Sequence, residues 1–571
     1  MKKKISKNLE NRNQLNLIFD DSKSINKANY KQDKRLNILI SSFLILMFLF
    51  LMKLFGLGLS DYKPQILSSK TDNIQRRTIV DTNNIVLAQS LNTYNLYLRP
   101  KKIKNKENIL IKLKIIFPEL NFQKLRKKLN TSKTFIVKRN LTPSQYNKVM
   151  QLGEPSIELE LSETRIYPHK NLFSHIIGQI DVDNYGISGL EYFFDEELKN
   201  KNSLNKPLKL SLDSTIQYIV RDVLLNSLDV FKAKGASAVI INVNTGKIIS
   251  LVSLPDYDLN KRSKLASHKL INKNTMGLYE FGSVFKIFTI ANAIEEKKIS
   301  INTQFKDLPP QLLCGKFKIN EYEYSKDKKN LTTENILVKS SNIGSIRIVQ
   351  KTGLVSHQKF LKKIGLLDKS EIEISEKSSP NKIRWGKCNT LTSSFGHGVN
   401  TSLLQLTNAY AALSNGGYLI NNSILKDKKI TKKQIISSNT SQIINRLLRA
   451  NVDKYNSIKG SGRKADIEGY FVGGKTGTAR KPLKNRKGYS KNTINTFSAI
   501  YPYHSPKYAI SVLLDEPQGA PKLWGHSRNE AGWNSSYVTG LIIKKIGPIL
   551  DTKEQFTNEI SSKKYADSKN N

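Results

Sequence analysis

Residues Leu36 to Leu59 read LNILISSFLILMFLFLMKLFGLGL, with Lys53 as the one charge in the run. A helix needs about 20 mostly apolar residues to cross a hydrocarbon layer about 30 Å thick, so this stretch can span one. A cleaved signal sequence has a shorter apolar core and a small-residue cleavage site. Here 35 mostly polar residues precede the run and no A-x-A site follows it. The segment is therefore read as an uncleaved anchor rather than a leader or a buried core helix. Lys23, Lys27, Lys31, Lys34 and Arg35 crowd its N-terminal flank, against Lys63 and Lys70 on the other side. Excess positive charge stays cytoplasmic. The expectation is a single-pass protein of the inner membrane with residues 1–35 as a cytoplasmic tail, 36–59 as the anchor and the remainder periplasmic.

Composition narrows what the exported part does. The chain has 571 residues, enough for several domains, and 39% hydrophobic residues, enough for buried cores. Its formal charge is +45, from 92 Lys plus Arg against 47 Asp plus Glu. Only 18 of the 92 are Arg, the residue suited to bidentate phosphate and base contacts, and the lysines are spread along the whole chain. That distribution argues against nucleic acid as a partner. Two cysteines, Cys314 and Cys388, exclude a disulfide-rich scaffold and a four-cysteine zinc site. A disulfide between them and a pair of buried thiols both remain open, because spatial separation is not readable from sequence.

The pattern of elements changes near Lys199–Pro207, a polar stretch ending in Pro that reads as a linker. Beyond it, Ser237–Val243 and Lys247–Leu254 are Val- and Ile-rich runs flanking Asn244-Thr245-Gly246, a hairpin signal. Helices are expected over Tyr279–Lys298, Thr332–Lys351 and Leu403–Leu413, and strands over Tyr470–Ala479, Ile494–Tyr501 and Tyr508–Leu514. Strands at both ends with helices between them predict an α+β domain with one mixed sheet flanked by helices. Residues from Thr552 onward are polar and read as a mobile tail.

Three short motifs carry chemistry. Ser283-Val-Phe-Lys286 follows Gly282, and on a helix its Ser and Lys share one face. The neighbours Val284, Phe285, Ile287, Phe288, Ile290, Ala291 and Ile294 are apolar on nearly every face, so the helix is buried. A Lys there loses hydration, its pKa falls, and it becomes a base toward Ser283. Ser340-Ser341-Asn342 offers a proton-relaying hydroxyl and an amide able to hold a peptide bond. Gly473-Gly474-Lys475-Thr476-Gly477-Thr478 places glycines inside a strand, which close approach of another backbone, here a substrate peptide, would require. Each motif alone is weak. Their order, S-x-x-K, S-x-N, K-T-G, is the set found in β-lactamases and penicillin-binding proteins.

With that order the chain resembles the monofunctional class B penicillin-binding proteins, most closely the division-specific (septal, FtsI-type) peptidoglycan transpeptidases. Tyr279-Glu280-Phe281-Gly282-Ser283 is similar to the family's E-P-G-S segment, and Ser394-Phe395-Gly396-His397-Gly398 with Thr401 and Leu404-Gln405 to its S-F-G-x-G…T-x-L-Q stretch. Ala531-Gly532-Trp533-Asn534 resembles a late segment of the division subgroup. Arg77-Thr-Ile-Val-Asp81 with Asn83 and Leu87-Ala88, then Arg165-Ile-Tyr167-Pro168, Gly186 and Gly189-Leu190-Glu191, resemble the motifs of the non-catalytic pedestal. Arg77 and Asn84 stand where Gly is usual, Thr82 for Arg, Phe281 for Pro and Val284 for Thr. The resemblance implies a pedestal (dimerisation-type) domain over 60–206, a serine β-lactamase-like transpeptidase domain over 207–550, and a polar tail over 551–571.

It also implies acyl transfer from stem peptides ending in D-Ala-D-Ala. Ser283 is the expected nucleophile, Lys286 its base, Ser340 the proton relay and Lys475 a positive field. Asn342, Thr476, Gly477 and Thr478 are expected to hold the peptide, with backbone N–H groups of Ser283 and Thr478 as the oxyanion hole. β-Lactams, as mimics of that peptide end, are expected to acylate the same serine. No metal ligand set and no cofactor is implied; His397, between two glycines, reads as a cleft-wall residue. A membrane glycosyltransferase and other division proteins are the partners the family implies. An elongation-type transpeptidase is the nearest rival. A class A β-lactamase lacks a place for the pedestal, and a β-lactam sensor or a scaffold without catalysis leaves the intact motif set unexplained.

Overall fold

The structure, a computed structural model, describes residues 36–55, 75–261, 266–483 and 488–567, with side chains as far as 551. The basic flank before Leu36, residues Gly56–Leu59, and Lys63 and Lys70 lie outside the described residues. Leu36–Phe55 forms one continuous helix, α1, of 20 residues with a mean hydropathy of 2.5 and every side chain in its apolar window exposed. By length and composition it suits a membrane crossing.

The first folded segment is built on a long antiparallel ribbon. β1 (Ile79–Val80) pairs with β2 (Val86–Leu98), and β2 is flanked by β3 (Phe135–Lys138) and β4 (Ile157–Ile166). Helices α2 (Lys106–Ile116), α3 (Phe122–Leu129) and α4 (Pro143–Met150) cover one end of it. Ile109, Leu113, Phe117, Leu125 and Leu129 pack there against Leu96 and Leu98 as a separate small core. At the other end the Glu191 carboxylate is buried between two guanidiniums, those of Arg76 and Arg165, at 2.8 and 2.7 Å. A buried carboxylate is tolerated because both its oxygens are paired. The turn before β2 uses Asn84 at φ 64°, a left-handed position that Asn adopts more readily than most residues. The Asn therefore takes the left-handed position at which the resemblance led one to expect Gly.

This segment is stitched to the next stretch of chain. β5 (Leu208–Lys209) pairs in parallel with β1, just after the polar residues expected as a linker. Asp81 accepts from the Ser214 amide at 3.0 Å, at the start of α5 (Ser214–Phe231), and Asn83 donates to Asp213 at 3.0 Å.

The larger domain is a five-stranded antiparallel sheet. Its strands are β6 (Gly235–Asn242), β7 (Ile248–Leu254), β10 (Gly473–Pro482), β11 (Tyr489–Tyr501) and β12 (Tyr508–Asp515), in the order β10-β11-β12-β6-β7. Successive residues of β6 and β12 are apolar rather than alternating, which is what a sheet covered on both faces demands. One face carries Val239, Ile241 and Leu513 and packs on α6 (Lys286–Glu295) and α10 (Leu403–Ser414). The other carries Ala238, Ile240 and Val512 and packs on α5 and α11 (Ser535–Asp567). A hairpin of β8 (Gln311–Cys314) and β9 (Phe317–Asn320), then α7 (Thr333–Val338), α8 (Asn342–Thr352) and α9 (Lys387–Ser393), complete the helical side.

Several expectations shift. The helix expected from Tyr279 starts only with a 3-10 turn at Gly282–Phe285, because Gly282 takes φ +62° and Tyr279 instead bridges to Thr401. The helix expected over Thr332–Lys351 is broken in two at Ser340, which sits at φ +55°. The backbone of α11 is helical to Asp567, so the polar stretch from Thr552 begins as a continuation of that helix. Cys314 and Cys388 are joined in a disulfide, with Cα atoms 5.7 Å apart, tying the β8–β9 hairpin to α9.

Candidate active site

Ser283 is half-buried on the 3-10 turn that leads into α6, and Lys286 is the first residue of the helix proper. Ile287, Phe288 and Ile290 around it are wholly buried, and the Lys286 side chain has no exposure at all. Its amine lies 2.9 Å from Ser283 Oγ, 3.0 Å from Ser340 Oγ, 2.5 Å from the Ser340 carbonyl and 2.8 Å from Asn342 Oδ1. Two of those partners, the carbonyl and the amide oxygen, can only accept. A neutral amine has two N–H donors and one lone pair, so donating to both leaves the lone pair for a hydroxyl. Burial lowers the Lys286 pKa well below the usual lysine value, Lys475 pushes it the same way, and Glu321 opposes them. The arrangement is that of an amine kept as a base and aimed at a serine.

The break at Ser340 has a function in this geometry. A continuous helix would carry the Ser340 side chain around with its neighbours; the left-handed residue turns both its carbonyl and its hydroxyl onto Lys286. Ser341 then caps α8 by accepting from the Gly344 amide at 2.9 Å. The site thus draws Ser340 from a turn and Asn342 from the first position of a helix.

The third motif lies on β10, against the turn that carries Ser283. A Cβ on Gly477 would stand 2.2 Å from the carbonyl oxygen of Phe281, so only Gly lets the strand approach. The glycine expected to make room for a substrate backbone makes room for the protein's own. Gly396 does the same from the other side, where a Cβ would lie 2.3 Å from the Gly282 carbonyl. The S-F-G-H-G segment is therefore a wall of the serine turn. Lys475 is fully buried, with its amine 3.2 Å from the Thr476 carbonyl; burial and then repulsion from Lys328 push its pKa down to about 7. Thr476 Oγ1 is in short contact with the hydroxyl of Ser461. Thr478 is exposed and its Oγ1 accepts from the Ala531 amide at 3.0 Å, so the Ala531–Asn534 segment borders the third motif.

The structure brings Ser283, Lys286, Ser340 and Asn342 into direct contact. Lys475, Thr476, Gly477 and Thr478 stand on the adjoining strand, where Lys475 acts on Lys286 through its charge rather than through a hydrogen bond. His397 packs on the rings of Phe395 and Tyr489 and lies 3.4 Å from Glu280, on the wall as expected. Sequence reasoning missed Ser461, Glu321 and Tyr410, whose buried hydroxyl donates to the Val284 carbonyl at 2.8 Å. None belongs to a motif; each reaches the site through tertiary packing.

Comparisons with known proteins identify the family. Residues 236–532 match the penicillin-binding protein transpeptidase domain and residues 71–216 the penicillin-binding protein dimerisation domain. The chain belongs to the class B penicillin-binding proteins. It is 31% identical to a probable peptidoglycan D,D-transpeptidase FtsI of Caulobacter vibrioides, over 84% of this chain and 82% of that one. It is 29% identical to a probable peptidoglycan D,D-transpeptidase PenA of Neisseria meningitidis, covering 79% and 82%, and 27% identical to the stage V sporulation protein D of Bacillus subtilis, covering 86% and 80%. Among solved structures, penicillin-binding protein 3 of Mycobacterium tuberculosis, complexed with aztreonam, superposes with a TM-score of 0.64 at 22% identity, covering 83% of this chain and 96% of that one. That likeness shows the shared fold of the folded part: a dimerisation domain and a transpeptidase domain whose sheet is flanked by helices. As a class B penicillin-binding protein, the chain is a serine-type transpeptidase.

Proposed function

We propose that the protein cross-links peptidoglycan stem peptides at the division septum, through an acyl-enzyme on Ser283. The observation that carries the chemistry is the buried Lys286 amine held against Ser283 Oγ by two obligate acceptors. Lys286 takes the Ser283 proton as the oxygen attacks the carbonyl between the two terminal D-alanines. The C–N bond breaks, Ser340 passes a proton to the departing amine, and D-alanine leaves an ester on Ser283. The amine of a second stem peptide then attacks that ester, restoring the hydroxyl and forming the cross-link. Lys475 keeps the site positive, Asn342, Thr476, Gly477 and Thr478 hold the peptide, and the amides of Ser283 and Thr478 receive the developing oxyanion. β-Lactams acylate the same serine by the same route. The domains are a pedestal over 60–206 and a transpeptidase domain over 207–550. The anchor holds the catalytic part outside the inner membrane, beside a membrane glycosyltransferase and other division proteins.

Fluorescent penicillin and mass spectrometry of the adduct test the chemistry. The label is expected on Ser283 and absent from Ser283→Ala, while Lys286→Ala slows acylation by about 10²–10⁴-fold, the range for loss of a general base. A label that survives Ser283→Ala rejects the reading. The division role is supported by the named FtsI relative and by the Ala531–Asn534 segment beside Thr478. A fluorescent fusion expected at constriction sites tests it; even placement along the cell wall assigns the enzyme to elongation.

A further inference from the structure

Glu321 follows the β8–β9 hairpin, belongs to no motif, and is buried. Its carboxylate faces the first turn of α8. Oε2 accepts from Ser341 Oγ at 2.6 Å and from the Ile343 amide at 3.0 Å, and Oε1 from the amides of Asn342 at 2.9 Å and Tyr322 at 3.1 Å. Bonds from amides to a charged acceptor are the strong kind, and a carboxylate at a helix N-terminus also meets the positive end of the helix dipole. The three residues gripped, Ser341, Asn342 and Ile343, directly follow Ser340. Glu321 is itself held: its amide donates to the Pro310 carbonyl at 2.8 Å, and the hairpin between Pro310 and Glu321 is pinned by the Cys314–Cys388 disulfide.

Ser340 is in a left-handed conformation that is strained for a residue other than Gly, so something must hold it there. Lys286 is one holder, through the Ser340 carbonyl; the other is whatever fixes the backbone immediately after it. We propose that Glu321 is a positioning residue for acyl transfer, clamping the start of α8 so that Ser340 and Asn342 stay on the Lys286 amine. This rests on the acyl-transfer reading above. The same segment reaches the third motif's border: Tyr322 donates to Glu530 at 3.3 Å and Glu323 pairs with Arg528 at 2.9 Å, one residue and three residues before Ala531. The clamp thus sits where the second and third motifs are joined.

Glu321→Gln tests it with little change of shape. One carboxylate oxygen becomes an NH2, which cannot accept from the Ile343 amide. Acylation by fluorescent penicillin is expected to fall at least tenfold, and hydrogen exchange at the Asn342 and Ile343 amides to speed up. The pH profile separates positioning from general loosening. The charges acting on Lys286 are Lys475 from β10, Lys328 from the turn after the hairpin, and Glu321, and only Glu321 raises its pKa. Without that charge the amine is neutral to lower pH, so the acid limb of the acylation profile moves down; a merely structural defect lowers the rate equally at every pH. A folded Glu321→Gln protein with wild-type rate and an unmoved acid limb overturns the proposal, as do unchanged exchange rates at Asn342 and Ile343. Glu321→Asp, which keeps the charge, is expected to keep the wild-type limb. Absence of a Ser283 adduct in the wild type would reject the acyl-transfer reading itself, while amide exchange would still report on the clamp.

Discussion

Lys475→Met is expected to inactivate the protein and make it more stable. The Lys475 amine is fully buried, and burial with repulsion from Lys328 brings its pKa from 10.5 to about 7. In the unfolded chain it keeps the ordinary value, so between about pH 7 and 10.5 the unfolded state binds more protons and stability rises with pH. At pH 7 the shift corresponds to a folding cost of about 4 kcal/mol, and at pH 9 to about 2 kcal/mol. Met is a close match in length, carries no proton, and forfeits the bond to the Thr476 carbonyl and a longer one to Thr476 Oγ1 at 3.4 Å, together worth about 1 kcal/mol. The variant should therefore gain about 3 kcal/mol at pH 7 and about 1 kcal/mol at pH 9. Denaturant unfolding of the two proteins at both pH values reads the difference, and penicillin labelling reads the loss of activity. A variant less stable than wild type at pH 7, or an advantage that does not shrink by pH 9, refutes the argument that this lysine is held at a cost to the fold.

The packing sets two further outcomes. Gly477→Ala puts a methyl group 2.2 Å from the Phe281 carbonyl, so β10 must back away from the serine turn; penicillin acylation should drop at least tenfold while circular dichroism stays unchanged, and an unaffected rate would show that the strand has room to spare. Reducing the Cys314–Cys388 disulfide, which closes a separation of 74 residues, should destabilise the domain by about 4 kcal/mol on the chain-entropy model. Unfolding with and without reductant measures it, with Cys314→Ser as the control that reductant must leave unchanged.

The candidate catalytic residues were legible because the chemistry proposed for them is written in residue types at short spacing. Ser283 and Lys286 are one helical turn apart, and the apolar residues around them announce burial without any knowledge of the fold. The sheet was legible for a similar reason: strands such as Tyr508–Asp515 are apolar at nearly every position and so must be covered twice. What escaped was whatever depends on two distant segments meeting. The break at Ser340 interrupts a sequence with good helical pattern; the left-handed residue meets Lys286, and the residues after it meet Glu321, both from distant parts of the chain. Gly477 of the third motif pointed correctly to a close backbone, but that backbone is the protein's own, at Phe281. Glu321 carries no local signal, since its partners on α8 lie about 20 positions further on.

The excess of lysine, which says little as composition, acquires a local meaning at this site. Lys328 lowers the pKa of both Lys286 and Lys475, and its own amine is fixed by donating to the Tyr322 carbonyl at 2.6 Å, next to Glu321. A general base is useful only while neutral, so a cation placed nearby favours the active form of Lys286 as Glu321 opposes it. The two side chains therefore set the amine from opposite directions, from one stretch of chain. Lys328→Gln should raise the pKa of Lys286, so the acid limb of acylation moves to higher pH, opposite to the shift expected for Glu321→Gln. Because Lys328 is half-buried and solvent reaches it, the displacement should be larger in low salt than at physiological ionic strength, where charges more than about 8 Å apart are screened. Acylation profiles of the two variants at two salt concentrations measure both shifts. If both limbs move the same way, the amine is governed by the shape of its pocket and not by the charges around it.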